Sequence, residues 1–387
     1  MILTQCAVCA TELGLSLGKK CGRCSTRYCG PECQVQHWKD GGHDKLCKIL
    51  KKAGGAEQYN ANKKYAEALA VAVAKCADDT KGQTCYICTQ AVHWKTKEGL
   101  VRMCACRGTA GFAHVSCLAE QAEILVADAE ERHLDDDQWA RWSTCSLCGQ
   151  DYHGVVFCAL GWACWKTYVG RPEADAFRSC AMGGLGQGLE AAKNDEDALT
   201  VREAHLVMQR RTGRSEESIL ITQANIASSY QNLRRFEDAL RLKQNIYSTK
   251  LRLYGEEHSE TLTSAINYAT LLVDLQRDEE ARSLMLKTTP VARRTLGEGH
   301  ITTLRMSWIY AEALYKYDGA TLDDFREAVT TFEDTARIAR RVLGGAHPVT
   351  VGIERELLKS RAVLRARETG DVSSLREAME AMTSGDA

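Results

Sequence analysis

Residues 255–300 read GEEHSETLTSAINYATLLVDLQRDEEARSLMLKTTPVARRTLGEGH. The stretch opens and closes on one signature, Gly255-Glu-Glu-His258 and Gly297-Glu-Gly-His300, 42 residues apart. The same frame extends outward. Gly170-Arg-Pro-Glu and Gly213-Arg-Ser-Glu precede it, and Gly344-Gly-Ala-His347 follows, with spacings of 43, 42, 42 and 47 residues. An insertion near Asp318-Gly319-Ala320-Thr321 absorbs the longer last spacing. Within the frame Ala227, Ala269 and Ala311 align, as do Ala239, Ala281 and Ala328. Small residues at two fixed positions, one per helix, let paired helices approach closely. Asn225 and Asn267 align as well, with Ile309 in the third place. Each helical pair in such a repeat cannot bury its own apolar stripe, so neighbours must stack. Glycine after each second helix is expected to supply the left-handed residue that ends it. His258, His300 and His347 recur with the frame. They sit about one helix pair apart, roughly 10 Å at least, too far for one ion, so they read as capping and packing residues.

This frame resembles the 42-residue tetratricopeptide (TPR) array of kinesin light chains. The likeness covers roughly residues 154–366, with Asp371–Met382 as a terminal capping helix. It implies a superhelix whose concave face binds peptides or helices, with Asn225 and Asn267 lining that face.

Before the array, fourteen cysteines and two histidines fall into two ladders. The first is Cys6-x2-Cys9, Cys21-x2-Cys24, Cys29-x3-Cys33 and His43-x3-Cys47. The second is Cys85-x2-Cys88, Cys104-x-Cys106, His114-x2-Cys117 and Cys145-x2-Cys148. Paired cysteines on a tight turn supply two corners of a zinc tetrahedron, so each ladder suffices for two ions and four zinc ions are expected. Segments this small bury little apolar surface, and metal binding must supply most of their folding energy. Thiolates in this pattern need a reducing compartment, which places the chain in the cytoplasm or nucleus. Cys76, Cys158, Cys164 and Cys180 have no ligand partners in sequence and read as buried small hydrophobes.

The run from Cys21 to Trp38, followed by His43 and Cys47, resembles a MYND-type zinc finger covering residues 6–47. The family interleaves its sites. That implies Cys6, Cys9, Cys29 and Cys33 on one ion and Cys21, Cys24, His43 and Cys47 on the other. Gly41-Gly42 lengthens the usual gap before His43. His37 could compete as a ligand, but the His-x3-Cys spacing favours His43. MYND modules bind short proline-containing peptides, in a groove that would use Gln34 and Trp38 here; Trp38 could equally serve to cover the zinc site. No motif of a SET methyltransferase accompanies the finger.

The segment Cys104-Ala-Cys106-Arg-Gly-Thr-Ala-Gly-Phe-Ala-His114-Val-Ser-Cys117-Leu resembles the RING-CH (RING-variant) finger, over residues 85–148. A PHD finger has the same ligand order; the one-residue gap at Cys104 and the Arg107–His114 loop favour RING-CH. The resemblance implies a cross-brace, with Cys85, Cys88, His114 and Cys117 on one ion and Cys104, Cys106, Cys145 and Cys148 on the other. It also implies an E3 ubiquitin ligase that orients a charged conjugating enzyme rather than reacting itself, with Ile87 in the docking groove. The family's tryptophan after the sixth ligand is replaced by Gln121, and no basic residue follows Cys148. Residues 118–144 read as a helix, interrupted near the solvated acidic triplet Asp135-Asp136-Asp137. Trp139 and Trp142 share a face there and are expected to pack on the second zinc site of this finger.

The sequence thus predicts a mainly α protein: two small zinc-stabilised modules followed by an α-helical TPR-type superhelix. The expected domains are a MYND-type finger (1–50), a helical linker (51–84) with a helix over Asn60–Ala77, a RING-CH-type finger (85–152) and the array (153–387). Only four prolines occur in 387 residues, in keeping with helix. Met1-Ile2-Leu3 is followed at once by polar residues, so no secretory signal is expected. The longest apolar run, Gly154 to Trp165, is short of the roughly 20 residues a span needs and reads as a buried helix. Residues 1–52 are locally basic, with nine Lys/Arg against four Asp/Glu. Fourteen thiolates outweigh the eight positive charges of four zinc ions, however, so nucleic acid is not the expected partner. No Ser/His/Asp set or phosphate loop appears, and both ladders are closed at four ligands per ion. The expected function is a zinc-binding protein–protein interaction adaptor that takes partner peptides on its MYND finger and array. The alternative is a RING-type E3 ubiquitin-protein ligase recruiting a conjugating enzyme through Ile87.

Overall fold

The computed structural model describes residues 6–11, 13, 18–133 and 136–370. The helix expected over Asp371–Met382 lies outside them, as does Asp135. The chain divides into two compact units, Met1–Leu233 and Arg234–Ala387.

The first unit begins with the hairpin β1 (Lys19–Lys20) and β2 (Arg27–Tyr28), in antiparallel register with Lys19 opposite Tyr28. Helices α1 (Pro31–Lys39) and α2 (His43–Lys52) follow, α1 starting on a proline that needs no N–H there. The core of this module contains Leu13, Tyr28, Leu50 and Ala56 beside the ligands Cys6, Cys21, Cys24 and Cys47. Half of these buried residues are metal ligands, which is why folding here must be tied to the ion.

Helix α3 (Ala56–Cys76) packs on α5 (Gly154–Tyr168), far away in sequence. Its helical pattern was expected to start at Asn60; the Ala56 N–H is instead held at 2.8 Å by the Cys24 carbonyl, which fixes an earlier start. Arg178 latches α3 to the array. Its Nη1 donates to the carbonyls of Val169 and Arg171, each at 2.7 Å, and its Nη2 to Glu57 at 3.2 Å.

The second module contains α4 (Val115–Glu131) and a tight 3-10 turn over Asp136–Trp142. In a 3-10 turn positions i and i+3 eclipse, so Trp139 and Trp142 do share a face. Both share one core cluster with the cysteines of the second zinc site, and both also pack on rings of the array. Trp139 stacks on Phe177 at 5.6 Å, and Trp142 meets Tyr168 edge-on at 5.9 Å. The cause is α5, which is apolar around its whole circumference and must be covered on every side. As a result one continuous core runs from Ala61 of α3 through the second module to Met208 of the array.

Helices α6 (Ala176–Ala191), α7 (Asp195–Arg211) and α8 (Glu216–Asn232) complete this unit. α5 and α6 touch through backbone: a Cβ on Gly188 would lie 2.9 Å from the Phe157 carbonyl oxygen. Cys76, Cys158 and Cys164 are buried as expected, but Cys180 is exposed, because it faces outward from α6.

The second unit holds α9 (Phe236–Tyr254), α10 (Ser259–Asp274), α11 (Asp278–Leu296), α12 (Ile301–Lys316), α13 (Leu322–Leu343) and α14 (Pro348–Thr369). Each packs on the next, and α12 also meets α10 and α14, the helices two places away. The aligned alanines 227, 239, 269, 281, 311 and 328 are all fully buried, the close approach their spacing required. His258, His300 and His347 are the N-caps of α10, α12 and α14. Each Nδ1 accepts a backbone N–H at 3.2 Å, from Glu260, Thr302 and Val349 respectively. Gly213, after α7, has a φ of 67° and the Arg214 N–H returns to the Gln209 carbonyl at 3.0 Å, as expected, but the later turn glycines depart from expectation. Gly255, Gly297 and Gly344 have φ of 82°, 89° and 88° but ψ of 174°, 161° and 157°. This is the extended positive-φ region essentially restricted to glycine, not the left-handed helical one. Gly170 is not in positive φ at all. Left-handed φ values also occur in the turns between paired helices, at Lys193, Arg234 and Gln276.

Candidate metal centres

None of the eighteen cysteines is in a disulfide, and sixteen Cys/His donors gather into four groups of four. The groups are Cys6, Cys9, Cys29 and Cys33; Cys21, Cys24, His43 and Cys47; Cys85, Cys88, His114 and Cys117; and Cys104, Cys106, Cys145 and Cys148. Within each, every donor atom lies within 4.8 Å of the others. Both ladders are therefore interleaved.

One turn builds all four centres. In it the first cysteine's N–H donates to the carbonyl five residues on, and the N–H four residues on returns to the cysteine carbonyl. Cys6, Cys21, Cys85 and Cys145 each make the first bond, to Thr11, Thr26, Gln90 and Gln150. Ala10, Ser25, Thr89 and Gly149 make the second, and all four have positive φ, between 56° and 66°. The turn aims the paired thiols at one point. In the first module a threonine hydroxyl supports the second thiol of each pair, Thr11 at 3.0 Å from Cys9 and Thr26 at 3.1 Å from Cys24.

The separations suit zinc. Tetrahedral Zn–S bonds of about 2.3 Å put two sulfurs about 3.8 Å apart. Cys9–Cys33 is 3.7 Å, Cys21–Cys47 3.8 Å and Cys106–Cys145 3.8 Å. The two histidines present different nitrogens. His43 turns Nε2 to Cys24 at 3.5 Å, whereas His114 turns Nδ1 to Cys88 at 3.3 Å and to Cys117 at 3.6 Å. His37 is not a ligand: its Nδ1 lies 3.0 Å from the Tyr28 hydroxyl.

The thiols also show why a cation is needed. The Thr11 hydroxyl holds Cys9 down to about 6, while contact with Cys29 pushes Cys33 up to about 12. Burial raises Cys21, but His43 and the N–H groups of Arg23 and Cys24 bring it down to about 6. Burial, then the thiols of Cys24 and Cys21, push Cys47 up to about 11. The N–H of Gln150 lowers Cys148 to about 7, and burial lifts Cys104 to about 11. In the first module the neighbouring thiols thus hold Cys33 and Cys47 protonated. A divalent ion reverses that repulsion and lets all the thiols ionise. Four protein donors leave such an ion no open position, so it supplies structure rather than chemistry.

The sequence reading missed a fifth turn of the same pattern. His93 N–H donates to Glu98, Lys97 N–H returns to His93, and Lys97 has a φ of 61°. It presents Glu98, whose carboxylate accepts the Ser116 N–H at 2.7 Å and the Ser116 hydroxyl at 2.8 Å, in the first turn of α4. The Tyr65 hydroxyl of α3 lies 3.2 Å from the same Ser116 hydroxyl. The repetition of this turn around a non-cysteine first residue left no spacing signal to find.

The predicted binding residues lie on separate elements. Gln34 is half-buried and Trp38 exposed on α1, and the Trp38 ring lies 5.7 Å from the His43 ring. Asn225 is half-buried on α8 and Asn267 exposed on α10. Ile87 and Leu147, each inside a Cys-x2-Cys turn, are both exposed, and between their neighbours Tyr86 hydroxyl lies 2.9 Å from Ser146 hydroxyl. Among the described residues no helix is long and apolar enough to cross a membrane.

Fold and donor groups define a zinc-finger protein with a helical repeat array. The MYND finger family matches residues 6–47, and the tetratricopeptide repeat family matches residues 218–294. The chain therefore carries a MYND finger and TPR repeats; neither match reaches the second cysteine module. Among solved structures it is similar to two of a Podosopora anserina putative kinesin light chain with nearly identical TPR-like repeats. Both show 20% identity and a TM-score of 0.43; one alignment covers 54% of this chain and 93% of that one, the other 56% and 98%. A third is BtubC (BKLC) from P. vanneervenii, at 12% identity and a TM-score of 0.44, covering 69% of this chain and 88% of that one. No curated protein matches the chain.

Proposed function

We propose that the protein is a non-enzymatic adaptor that takes partner peptides on its MYND finger and its repeat array. The observation that carries this reading is Trp38. It borders a zinc ligand yet stays 45% exposed, with Gln34 one helical turn before it. An aromatic held at one edge and open at the other suits a peptide side chain better than a lid over the metal. Four closed donor groups support the same reading, since they leave no position for a substrate. On the array Asn225 of the first unit and Asn267 of the second would each meet peptide main chain. The test is titration of a panel of proline-containing peptides onto the zinc-loaded chain. A panel member should bind, and Trp38→Ala should weaken it by about tenfold or more. Failure of every peptide to bind, or equal binding by the variant, rejects the MYND part of the reading.

A second reading, a RING-type E3 ubiquitin ligase, is favoured by one observation. Ile87 (36% exposed) and Leu147 (51%) sit in metal turns of the second module whose Tyr86 and Ser146 hydroxyls lie 2.9 Å apart, and would offer a conjugating enzyme an apolar surface. In this reading the RING-CH-type finger orients the conjugating enzyme's thioester and does no covalent chemistry itself. Self-ubiquitination with an activating enzyme and a panel of conjugating enzymes tests it. Activity that Ile87→Ala abolishes supports the reading; wild type no more active than that variant across the panel rejects it.

A further inference from the structure

Helix α2 is divided lengthwise. His43, Cys47 and Leu50 recur at helical spacing and are buried, the first two as metal donors and Leu50 in the core of the finger. The flank beside them is apolar and open. Leu46 is 39% exposed and Ile49 51% exposed, one turn apart, and Ala53 continues the line at the helix end. A single exposed aliphatic is ordinary on a protein surface; here two stand in line on one short helix, and cations rim them.

Lys45 and Lys52 lie one turn before and one turn after Ile49, and Lys48 lies one turn from each of them. Lys51 adds a fourth cation. All four are exposed, and none makes an ion pair or a side-chain hydrogen bond among the described residues. The one acid of the helix, Asp44, sits in its first turn, on the side away from Ile49. The bound ions do not cancel this charge. Nine Lys/Arg against four Asp/Glu in residues 1–52 leave a surplus of five, and seven thiolates on two divalent ions take back three.

The composition selects among anionic partners. Fixed carboxylates on another protein are met best by arginine and by aromatic anchors, and lysine is depleted from such interfaces. Helix α2 carries no arginine, phenylalanine, tyrosine or tryptophan. Nucleic acid would engage the lysines but leave Leu46 and Ile49 in water. A lipid headgroup layer satisfies both: the aliphatic side chains enter the acyl boundary, and the lysine stems run along the strip with their ammonium groups among the phosphates.

We propose that α2 docks the protein on an anionic lipid surface. Leu46 and Ile49 enter the interface, and Lys45, Lys48 and Lys52 hold the headgroups. The helix lies on the surface and does not span it. This activity goes beyond peptide binding and does not depend on it.

The test is cosedimentation of the zinc-loaded full chain with vesicles of phosphatidylcholine, alone and with phosphatidylserine at about one lipid in three. Wild type is compared with Ile49→Glu, with Lys45→Gln/Lys48→Gln/Lys52→Gln, and with Leu286→Glu, a change at a 58% exposed leucine of the second unit. None of these residues is a metal donor, and unchanged zinc content and circular dichroism verify the fold. The expected result is sedimentation with phosphatidylserine vesicles and not with phosphatidylcholine alone, reversed by added salt. Ile49→Glu and the triple lysine variant should each lose about tenfold or more in partition, while Leu286→Glu keeps it. No sedimentation, or equal sedimentation of wild type and Ile49→Glu, overturns the proposal. A DNA duplex or an acidic peptide that binds wild type and not the triple variant, with vesicles left unbound, assigns the lysines to another polyanion and likewise overturns it.

Discussion

The carbonyl oxygen of Cys24 accepts the N–H of Ala56 at 2.8 Å, so a metal ligand and the first residue of α3 are one hydrogen bond apart. The Cys24 thiol faces His43 Nε2 at 3.5 Å, and α3 packs along α5. The second centre of the MYND finger is therefore mechanically continuous with the array's first helix. His43→Ala should lower the zinc content from four ions to two or three. It should also speed amide exchange in the first turn of α3, while the centres at 85–148 keep their metal. Exchange unchanged at residues 56–60 contradicts this coupling.

The capping histidines are testable singly. His300→Ala removes the acceptor for the Thr302 N–H and should cost about 1 kcal/mol. His300→Asn, which keeps a capping oxygen, should recover most of it. Urea unfolding of the repeats and exchange in the first turn of α12 read the difference. Equal stability of wild type and His300→Ala would show that the recurring histidine does not cap in solution.

His205 gives the first unit a pH dependence. Burial, then the nearby Arg214, hold it down to about 4. Its folded value lies below its unfolded value of about 6.5, so the unfolded chain binds the extra proton between these pH values. Its contribution is complete above about pH 6.5 and declines by up to about 3 kcal/mol as the pH falls to about 4. Zinc release also weakens the fold in acid, so the check compares variants. His205→Gln should flatten the stability profile over this window relative to wild type, at matched zinc content. Parallel profiles exclude the effect.

Gly188 is where α5 and α6 pass backbone to backbone. Alanine favours helix by about 1 kcal/mol, yet its Cβ would lie 2.9 Å from the Phe157 carbonyl oxygen. The contact should win: Gly188→Ala is expected to destabilise the first unit by about 1–3 kcal/mol. Gly184→Ala, into open space, should stabilise it slightly. Thermal unfolding of the pair decides, and a stabilised Gly188→Ala would mean the helices can separate freely.

Some of this was legible because it is local. A Cys-x2-Cys pair closes its own turn, so the ladders gave all sixteen donors; the His-x3-Cys spacing separated His43 from His37; and the alanine frame marked the buried helix contacts. What escaped was set by distant partners or by backbone conformation. Arg178 bonds Glu57 across 121 positions, and no spacing announces it. Trp139 and Trp142 were expected on the second zinc site from their shared face, and the sequence did not show that the all-apolar α5 also draws them to Tyr168 and Phe177. The turn glycines were found, but glycine alone does not tell a left-handed helical residue from an extended one at positive φ. Asn225 was marked by its alignment, yet the Arg202 guanidinium that holds its carbonyl became visible only with the helices in place.

The account's central claim is a scaffold held by four closed metal centres. Native mass spectrometry of the full chain, before and after chelation, tests it most directly. The expected result is four zinc ions per chain and loss of the compact charge-state distribution when they are removed. Two zinc ions in a fully folded chain, or four that leave without unfolding either cysteine module, would contradict it.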